Sequence, residues 1–434
     1  MKLRSFAVAV GCFLLASSAH ADVQSVAIVD LGSPGTPPTS PSIATAISPD
    51  GNSIVGTWLV VPTGTSQHGW IAPNATGADV ATDLGFPPGV VSAAPMGIND
   101  SQFIVGSFRN NSIQRVDGAF YARPGAFAPA LIPGLSGQSS AQAVNAGGLV
   151  VGYDQSGPGG APQSFVFTIP ASGSGAIPQR IGAFQSPTLI PNQAYAVNGS
   201  GTVAGWAVNA AAERQAFVAK TPDGPVSQPV IPGSHWSEAR AINAGGDIAG
   251  CAAANAGTVG DCSGTIANNS SGIQAFIVRN GTPIALGVPA GFDESFALGI
   301  SDHGLVVGTA HGSSGSSAFL WYFDNGQLKT IDLTTLLPDH VSFLSLLTAT
   351  AITDTVLSTT ATTETLGATI VGQGLTADSV AHAFRLNVDV VVSVPEPETW
   401  VLLLAGLASL GWAGRRRVRA TPVTSEGVFM NCPG

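Results

Sequence analysis

A short motif repeats seven times between residues 46 and 372, and this repetition constrains the fold more than any other feature of the chain. The clearest copies occupy residues 143–152 and 241–250, where an apolar pair precedes Asn-Ala-Gly-Gly and further apolar residues follow. Successive copies close with glycines that are 45 to 64 residues apart. These glycines are Gly56, Gly106, Gly152, Gly205, Gly250, Gly308 and Gly372. A period of this length is typical of propellers and solenoids.

Each copy of the motif predicts a β-hairpin followed by two more strands. Asn145 with Gly148, like Asn243 with Gly246, has the spacing of a type I turn, and strand-forming residues lie on both sides. An aromatic residue lies 11 to 14 residues past the closing glycine in six copies and 26 residues past it in the fifth. This aromatic element predicts a third strand, and a looser Leu-Gly or Ile-Pro-Gly element predicts a fourth.

Four short antiparallel strands in each repeat are the pattern of a β-propeller blade, and 54 Gly with 30 Pro argue against helices. A lone copy of the fourth strand, residues 27–32, precedes the first hairpin, while the seventh copy ends at its third strand, residues 383–386. We therefore predict an all-β, seven-bladed propeller of four-stranded antiparallel blades over residues 22–388, closed by its termini. A β-solenoid or tandem β-sheets are the alternatives, because periodicity does not show closure.

The charge of this repeat region excludes one class of function. Residues 22–393 contain 10 Lys and Arg against 23 Asp and Glu, a net charge of -13. Nucleic-acid binding needs clustered basic residues, so nucleic acid is not expected as a partner. No cofactor motif is recognisable, and no familiar enzyme signature occurs. Asp302 and His303 occupy the centre of a repeat turn, which favours a solvent-facing turn over a catalytic site.

The first 21 residues have the pattern of a secretory signal peptide. Lys2 and Arg4 precede an apolar run over residues 6–16, and Ala-His-Ala at residues 19–21 matches a cleavage site. The chain is therefore expected to be exported, with Asp22 as the mature N-terminus.

The C-terminal region carries a second composite signal. A linker over residues 389–399 contains Pro395, Glu396 and Pro397, and the apolar part of the following segment, residues 400–414, has 15 residues, fewer than the roughly 20 that span a bilayer comfortably. An arginine cluster ends this hydrophobic segment, 400–417, and residues 418–434 extend beyond it. We expect transient membrane insertion, with the cluster as the cytoplasmic-side stop. The cluster consists of Arg415, Arg416 and Arg417.

This order of features resembles the PEP-CTERM sorting signal of exported proteins in Gram-negative bacteria that make exopolysaccharide. The resemblance implies that a membrane-embedded transpeptidase, the exosortase, recognises Pro395, Glu396 and Pro397 and removes the tail. Residues 418–434 depart from the family, whose members usually stop after the arginine cluster. An ordinary C-terminal membrane anchor is the alternative.

The repeat also resembles the HAF repeats of bacterial extracellular proteins, through His382, Ala383 and Phe384 in the seventh copy. This resemblance covers roughly residues 26–388, and only the last copy spells the full triplet. It implies an exported, repetitive β-structure and no particular activity.

Cys251 and Cys262 are expected to form a disulfide, because they bracket much of the extra length of the fifth copy in an exported protein. Metal binding is not expected, since neither a second cysteine pair nor a histidine cluster completes a site. Candidate ligand-binding residues lie in the loops that precede the first strands of two units. They are His235 with Trp236, and Asp293 with Glu294.

The sequence thus favours an exported, non-catalytic protein of the periplasm and the outer surface or extracellular matrix, transiently anchored in the inner membrane. Its expected partners are the exosortase and a polysaccharide or surface protein. The alternative is a carbohydrate-active propeller enzyme, which would need two carboxylates within about 10 Å in the mouth of the channel.

Overall fold

Each copy of the motif forms one four-stranded antiparallel sheet, and the seven sheets form the blades of a β-propeller, which confirms the predicted fold. The computed structural model describes residues 23–34, 40–59, 67–73, 81–85, 90–110, 117–123, 126–135, 138–156, 160–171, 176–181, 190–221, 226–227, 229, 231–254, 262, 272–339 and 341–393. In blades 1 to 6 the inner strand comes first in the sequence. In the seventh blade the N-terminal segment supplies the outer strand, and the other three strands come from the end of the repeat region.

The strands follow one another from the inner to the outer edge of each blade. Blade 1 contains β2 (Ser42–Ile47), β3 (Ser53–Leu59), β4 (Gln67–Pro73) and β5 (Thr82–Asp83), and blade 2 contains β6 (Val90–Ile98), β7 (Ile104–Asn110), β8 (Asp117–Arg123) and β9 (Ala126–Leu131). Blade 3 contains β10 (Ser139–Val144), β11 (Leu149–Asp154), β12 (Gln163–Thr168) and β13 (Gln179–Arg180), and blade 4 contains β14 (Asn192–Val197), β15 (Thr202–Val208), β16 (Arg214–Lys220) and β17 (Val226–Ser227). Blade 5 contains β18 (Trp236–Ile242), β19 (Ile248–Ala253), β20 (Ile273–Arg279) and β21 (Thr282–Gly287), and blade 6 contains β22 (Glu294–Ile300), β23 (Val306–Gly312), β24 (Gly315–Asp324) and β25 (Gln327–Asp332), followed by a 3-10 turn, Leu333–Leu336.

The seventh blade closes the ring with strands from both ends of the repeat region. It contains β26 (Phe343–Thr359), β27 (Thr363–Thr376), β28 (Ala381–Ser393) and, at its outer edge, β1 (Val23–Gly32). The predicted closure by the lone copy of the fourth strand is therefore confirmed. His382 on β28 lies 3.0 Å from a carboxylate oxygen of Asp30 on β1, so an ion pair joins the two ends when the histidine is protonated.

The last strand is longer than the sequence predicts. The sequence predicts that the propeller ends at residue 388, whereas β28 remains paired with β27 as far as Ser393. The β-branched residues at the end of β28 explain the extension, because valine favours strands: Val388, Val390, Val391 and Val392.

The blades are held together by apolar side chains that pack between neighbouring sheets. Phe165 of the third blade is fully buried and clusters with Val105 and Ala119 of the second blade. The aromatic residue of the third strand is buried in every blade, and truncating such a residue to Ala typically costs roughly 3 to 5 kcal/mol. Trp58, Trp206 and Trp321 are buried as well.

The closing glycine of each copy is explained by a β-bulge in the inner strand. In blade 5 the pairing shifts between Ala239 and Ala241, which leaves Arg240 as the bulged residue opposite Gly250. A Cβ atom at Gly250 would lie 1.9 Å from the carbonyl oxygen of Glu238. The corresponding distance is between 1.8 and 2.1 Å in all seven blades, so only glycine fits at this position.

The hairpin turns have the geometry that their sequences predict. Gly148 donates its N–H to the carbonyl of Asn145 and has a φ of 75°, a left-handed conformation that favours glycine. In blade 2 the equivalent residue is Gln102, with a φ of 58°. A non-glycine side chain in this conformation is strained.

The turn residues also connect neighbouring blades, which local turn preferences do not reveal. Asn145 donates from Nδ2 to the carbonyl of Asn198 in the next blade, at 3.0 Å. Asparagines make equivalent bonds from blade 2 to blade 3, from 4 to 5 and from 5 to 6. The three remaining interfaces are crossed by bonds from Ser301 to Asp354, from Thr353 to the carbonyl of Pro49 and from the N–H of Asp50 to Asp100. Hydrogen bonds at one face of the propeller thus link all seven blades.

Candidate functional site

The inner strands enclose a central channel, and the seven bulges direct one side chain from each blade into it. Its cavity has a volume of about 350 Å³. A bulge re-aims a side chain away from the regular alternation of its strand, which explains how strands that otherwise pack against neighbouring blades line the channel. The bulged residues, in blade order, are Thr45, Met96, Gln142, Tyr195, Arg240, Leu298 and Thr350.

The bulged position differs from blade to blade, while the positions around it are nearly constant. It is followed in every blade by Ala or Gly and then by Ile or Val. The constant residues build the same bulge seven times, and the variable residue decides the chemistry of one sector of the channel. The variable position is visible when the seven copies are aligned, but the motif by itself predicts only a turn and two strands.

Blades 3 to 5 form a polar sector of the channel. Each bulged side chain there bonds to the side chain two residues earlier: Gln142 to Ser140 at 2.7 Å and Tyr195 to Gln193 at 2.5 Å. Arg240 bonds in the same way to Glu238, at 3.0 Å. These bonds hold the three polar side chains in fixed orientations.

A buried carboxylate orients the cationic part of this sector. Glu238 is fully buried and lies 2.5 Å from Arg214 and 3.0 Å from Arg240. The Arg240 guanidinium lies over the ring of Tyr195, 4.1 Å from its centroid. Burial and the negative charge of Glu238 raise the pKa of Tyr195, so its hydroxyl stays protonated and acts as a donor.

The remaining blades give the channel a largely apolar sector. Met96 and Leu298 contribute apolar side chains. The hydroxyls of the two threonines donate hydrogen bonds to backbone carbonyls of neighbouring strands: Thr45 to Pro95 at 2.8 Å and Thr350 to Ala44 at 2.7 Å. Their methyl groups therefore supplement the apolar wall, and the channel has one polar and one apolar side.

The described residues that line the cavity do not include a pair of carboxylates. Among the described residues that line the cavity, Arg240 is the only one with a formal charge. Asp302 and His303 lie in a turn as expected, but both connect blades: Asp302 accepts the N–H of Ala244, and His303 lies 3.0 Å from Asp354. Burial alone would lower the pKa of His303, but the hydrogen bond to Asp354 and the nearby negative charges outweigh it and raise the pKa.

The four predicted ligand-binding residues lie away from the channel wall. His235 is exposed and 3.3 Å from Glu213, whereas Trp236 is 7% exposed and packs beside the disulfide. Trp236 therefore has little surface on which a sugar can stack. Glu294 is buried, and Oε1 has no hydrogen-bond partner among the described residues. Burial and the charge of the neighbouring Asp293 raise its pKa.

Cys251 and Cys262 form a disulfide, with a Cα–Cα distance of 5.7 Å. Both residues are fully buried and pack with Trp236 and Phe296. The disulfide thus fixes one point of the long connection between β19 and β20 against the core of blade 5.

The residues of the predicted sorting signal lie outside the described residues. These are Pro395, Glu396, Pro397, Arg415, Arg416 and Arg417. Within the described part of the chain, no helix is long and apolar enough to cross a membrane, and the hydrophobic segment 400–417 is not part of that region.

Comparison with known proteins supports this sorting signal. Residues 393–417 match the family model of the PEP-CTERM protein-sorting motif. The motif implies an exported protein that is processed by an exosortase, with a membrane-associated signal at its C-terminal end. The resemblance to HAF repeats stays a prediction.

Solved structures that match part of this backbone have very different sequences. TolB from Acinetobacter baumannii is 12% identical with a TM-score of 0.39, over 67% of this chain and 63% of that one. A structure from a mechanistic study of two prolyl endopeptidases is 9% identical with a TM-score of 0.47, over 76% of this chain and 47% of that one. This chain thus spans less than two thirds of either protein. No curated protein sequence matches it.

Proposed function

We infer that this chain is a non-catalytic binding protein of the cell surface or extracellular matrix, which binds exopolysaccharide or a surface partner through its propeller. The ring of seven bulges carries this proposal. It aims one variable side chain per blade into a cavity of about 350 Å³, while the supporting backbone stays the same. Sites on rigid strands position ligand-binding groups more accurately than sites on loops.

The proposed delivery route follows from the two ends of the chain. The leader exports the protein to the periplasm of a Gram-negative bacterium, and the hydrophobic segment holds it transiently in the inner membrane. The exosortase recognises Pro395, Glu396 and Pro397 and releases the domain towards the outer surface or matrix. The arginine cluster keeps the last residues on the cytoplasmic side until then.

A carbohydrate-active enzyme is the second candidate, and one observation favours it. The buried carboxyl of Glu294 has a raised pKa beside Asp293, and a raised pKa is what a general acid in glycoside hydrolysis requires. Glu294 is the first residue of β22 rather than a loop residue, and it lies outside the ring of bulged residues that line the channel.

A glycan array with a parallel hydrolysis assay distinguishes the two candidates. Residues 22–393 suit this assay because they contain all strands from β1 to β28 and therefore the complete ring. Retention of glycans without any product supports the binding protein. Product formation that is lost in Glu294→Gln supports the enzyme, and the absence of both retention and product would overturn the proposed function.

A further inference from the structure

The channel is cationic although the propeller is acidic. Residues 22–393 have a net charge of -13, yet the single formally charged residue among the described residues of the cavity wall is Arg240. Arg240 and Arg214 share one carboxylate, that of Glu238, so this group of three side chains has a net charge of +1. An anion is attracted to the cavity even though the outer surface repels it.

The guanidinium of Arg240 is held in place before any ligand arrives. Glu238 fixes it from one side at 3.0 Å, and the ring of Tyr195 lies against its face at 4.1 Å. Tyr195 is itself held by Gln193, which also accepts a hydrogen bond from Trp206 at 3.2 Å. A planar guanidinium that is already oriented loses little entropy on binding, and its geometry matches a carboxylate.

The groups around Arg240 indicate what else the ligand contains. Gln142 and Tyr195, from the two preceding blades, provide amide and hydroxyl groups that suit sugar hydroxyls. Leu298, from the following blade, provides an apolar surface that suits the C–H face of a sugar ring. The cavity volume of about 350 Å³ accommodates a small ligand.

We propose that the channel binds the carboxylate of an acidic sugar, with Arg240 facing the carboxylate and with Gln142 and Tyr195 facing the hydroxyl groups. This inference rests on the proposed binding function and names its ligand class. The carboxylate can come from a free uronic acid or from the end of an acidic polysaccharide chain, and the two sources present the same group to Arg240.

Calorimetry with three matched sugars tests the carboxylate. Residues 22–393 are titrated with glucuronate, with the methyl ester of glucuronic acid and with glucose, and a polyglucuronate oligosaccharide distinguishes the chain end from the free sugar. We expect glucuronate to bind at least tenfold more tightly than the ester or glucose, with an affinity that falls as salt is added. Equal affinity for the acid and its ester would overturn the proposal.

A pair of isosteric variants tests the position of the site without removing either arginine or Glu238. Leu298→Glu adds a carboxylate at the bulged position of the blade next to that of Arg240, whereas Leu298→Gln adds the same volume without charge. We expect at least a tenfold loss of glucuronate affinity in Leu298→Glu relative to Leu298→Gln. Equal affinities in the two variants would contradict binding in the channel.

Arg240→Gln tests the guanidinium directly, and Arg279→Gln is its control, because Arg279 lies over Phe323 away from the channel. We expect the preference for the acid over the ester to disappear only in Arg240→Gln. If glycans are retained on the array but Arg240→Gln keeps the preference for the acid, the assignment of the ligand is wrong and the binding function stands. If no glycan is retained, the binding function itself fails.

Discussion

The asparagines that connect neighbouring blades are expected to contribute strongly to stability, and Asn145→Ala measures this contribution. Asn145 is buried, donates to the carbonyl of Asn198 and accepts the N–H of Leu149, each at 3.0 Å. The carbonyl of Asn198 keeps a bond from Gly201, so losing the first bond costs about 1 kcal/mol. The N–H of Leu149 loses its partner, which costs roughly 1 to 3 kcal/mol. We therefore expect Asn145→Ala to lower the free energy of unfolding by about 2 to 4 kcal/mol.

Two further variants distinguish the contribution of the hydrogen bonds between blades from a general effect of losing an amide. Ser301 occupies the same position in blade 6, and its hydroxyl accepts the N–H of Leu305 at 3.0 Å. Asn145→Ser should therefore keep the local bond and lose only the bond between blades, about 1 kcal/mol. Asn52 lies in the turn of blade 1 but is exposed, so Asn52→Ala should change stability by less than about 0.5 kcal/mol.

Urea unfolding followed by tryptophan fluorescence gives these free energies. The expected order of stability is wild type and Asn52→Ala, then Asn145→Ser, then Asn145→Ala. The argument is refuted if Asn145→Ala is as stable as Asn52→Ala, or if the serine variant is as destabilised as the alanine variant.

Three other perturbations test separate features. Gln102→Gly should stabilise the protein by roughly 1 kcal/mol in urea unfolding, because it relieves a positive φ of 58°, and a loss of stability would contradict this strain. Replacing Cys251 and Cys262 with serine should lower the free energy of unfolding by about 2 to 3 kcal/mol, since the bond closes a loop with a sequence separation of 11, and dithiothreitol should then have no further effect on unfolding. The raised pKa of His303 means that its pairing with Asp354 stabilises the fold fully below pH 6.5 and is lost as the pH rises through the higher folded pKa. His303→Gln should therefore flatten the pH dependence of stability above pH 6.5, and an unchanged pH profile would contradict the pairing.

The architecture of the propeller was predictable because it depends on features that every copy must keep. The type I turns, the closing glycines and the buried aromatic residues recur at regular spacing, and each has a local physical reason. The closure by β1 was predictable for the same reason, since residues 27–32 repeat the fourth strand without a hairpin of their own.

The channel was not predicted, because its wall consists of the one position that does not recur. Arg240 and Leu298 share neither charge nor shape, and only the bulge, a feature of backbone pairing, gives them the same orientation. The role of Asn145 between blades was also missed, because its preference for a turn already explained its presence. Trp236 was assigned to a loop, whereas it begins β18 and packs with the disulfide.

The position of β1 has a consequence for how the protein matures. Among the described strands, β1 pairs only with β28 in the seventh blade, so on the proposed export route the first strand of the domain pairs with the last one to be translocated. Six residues, 394–399, lie between the end of β28 and Trp400, where the hydrophobic segment begins, so on the proposed route the ring can finish folding only when almost the whole domain has been translocated. On the proposed route, the ring of blades would therefore be completed at about the stage at which the sorting signal reaches the membrane enzyme.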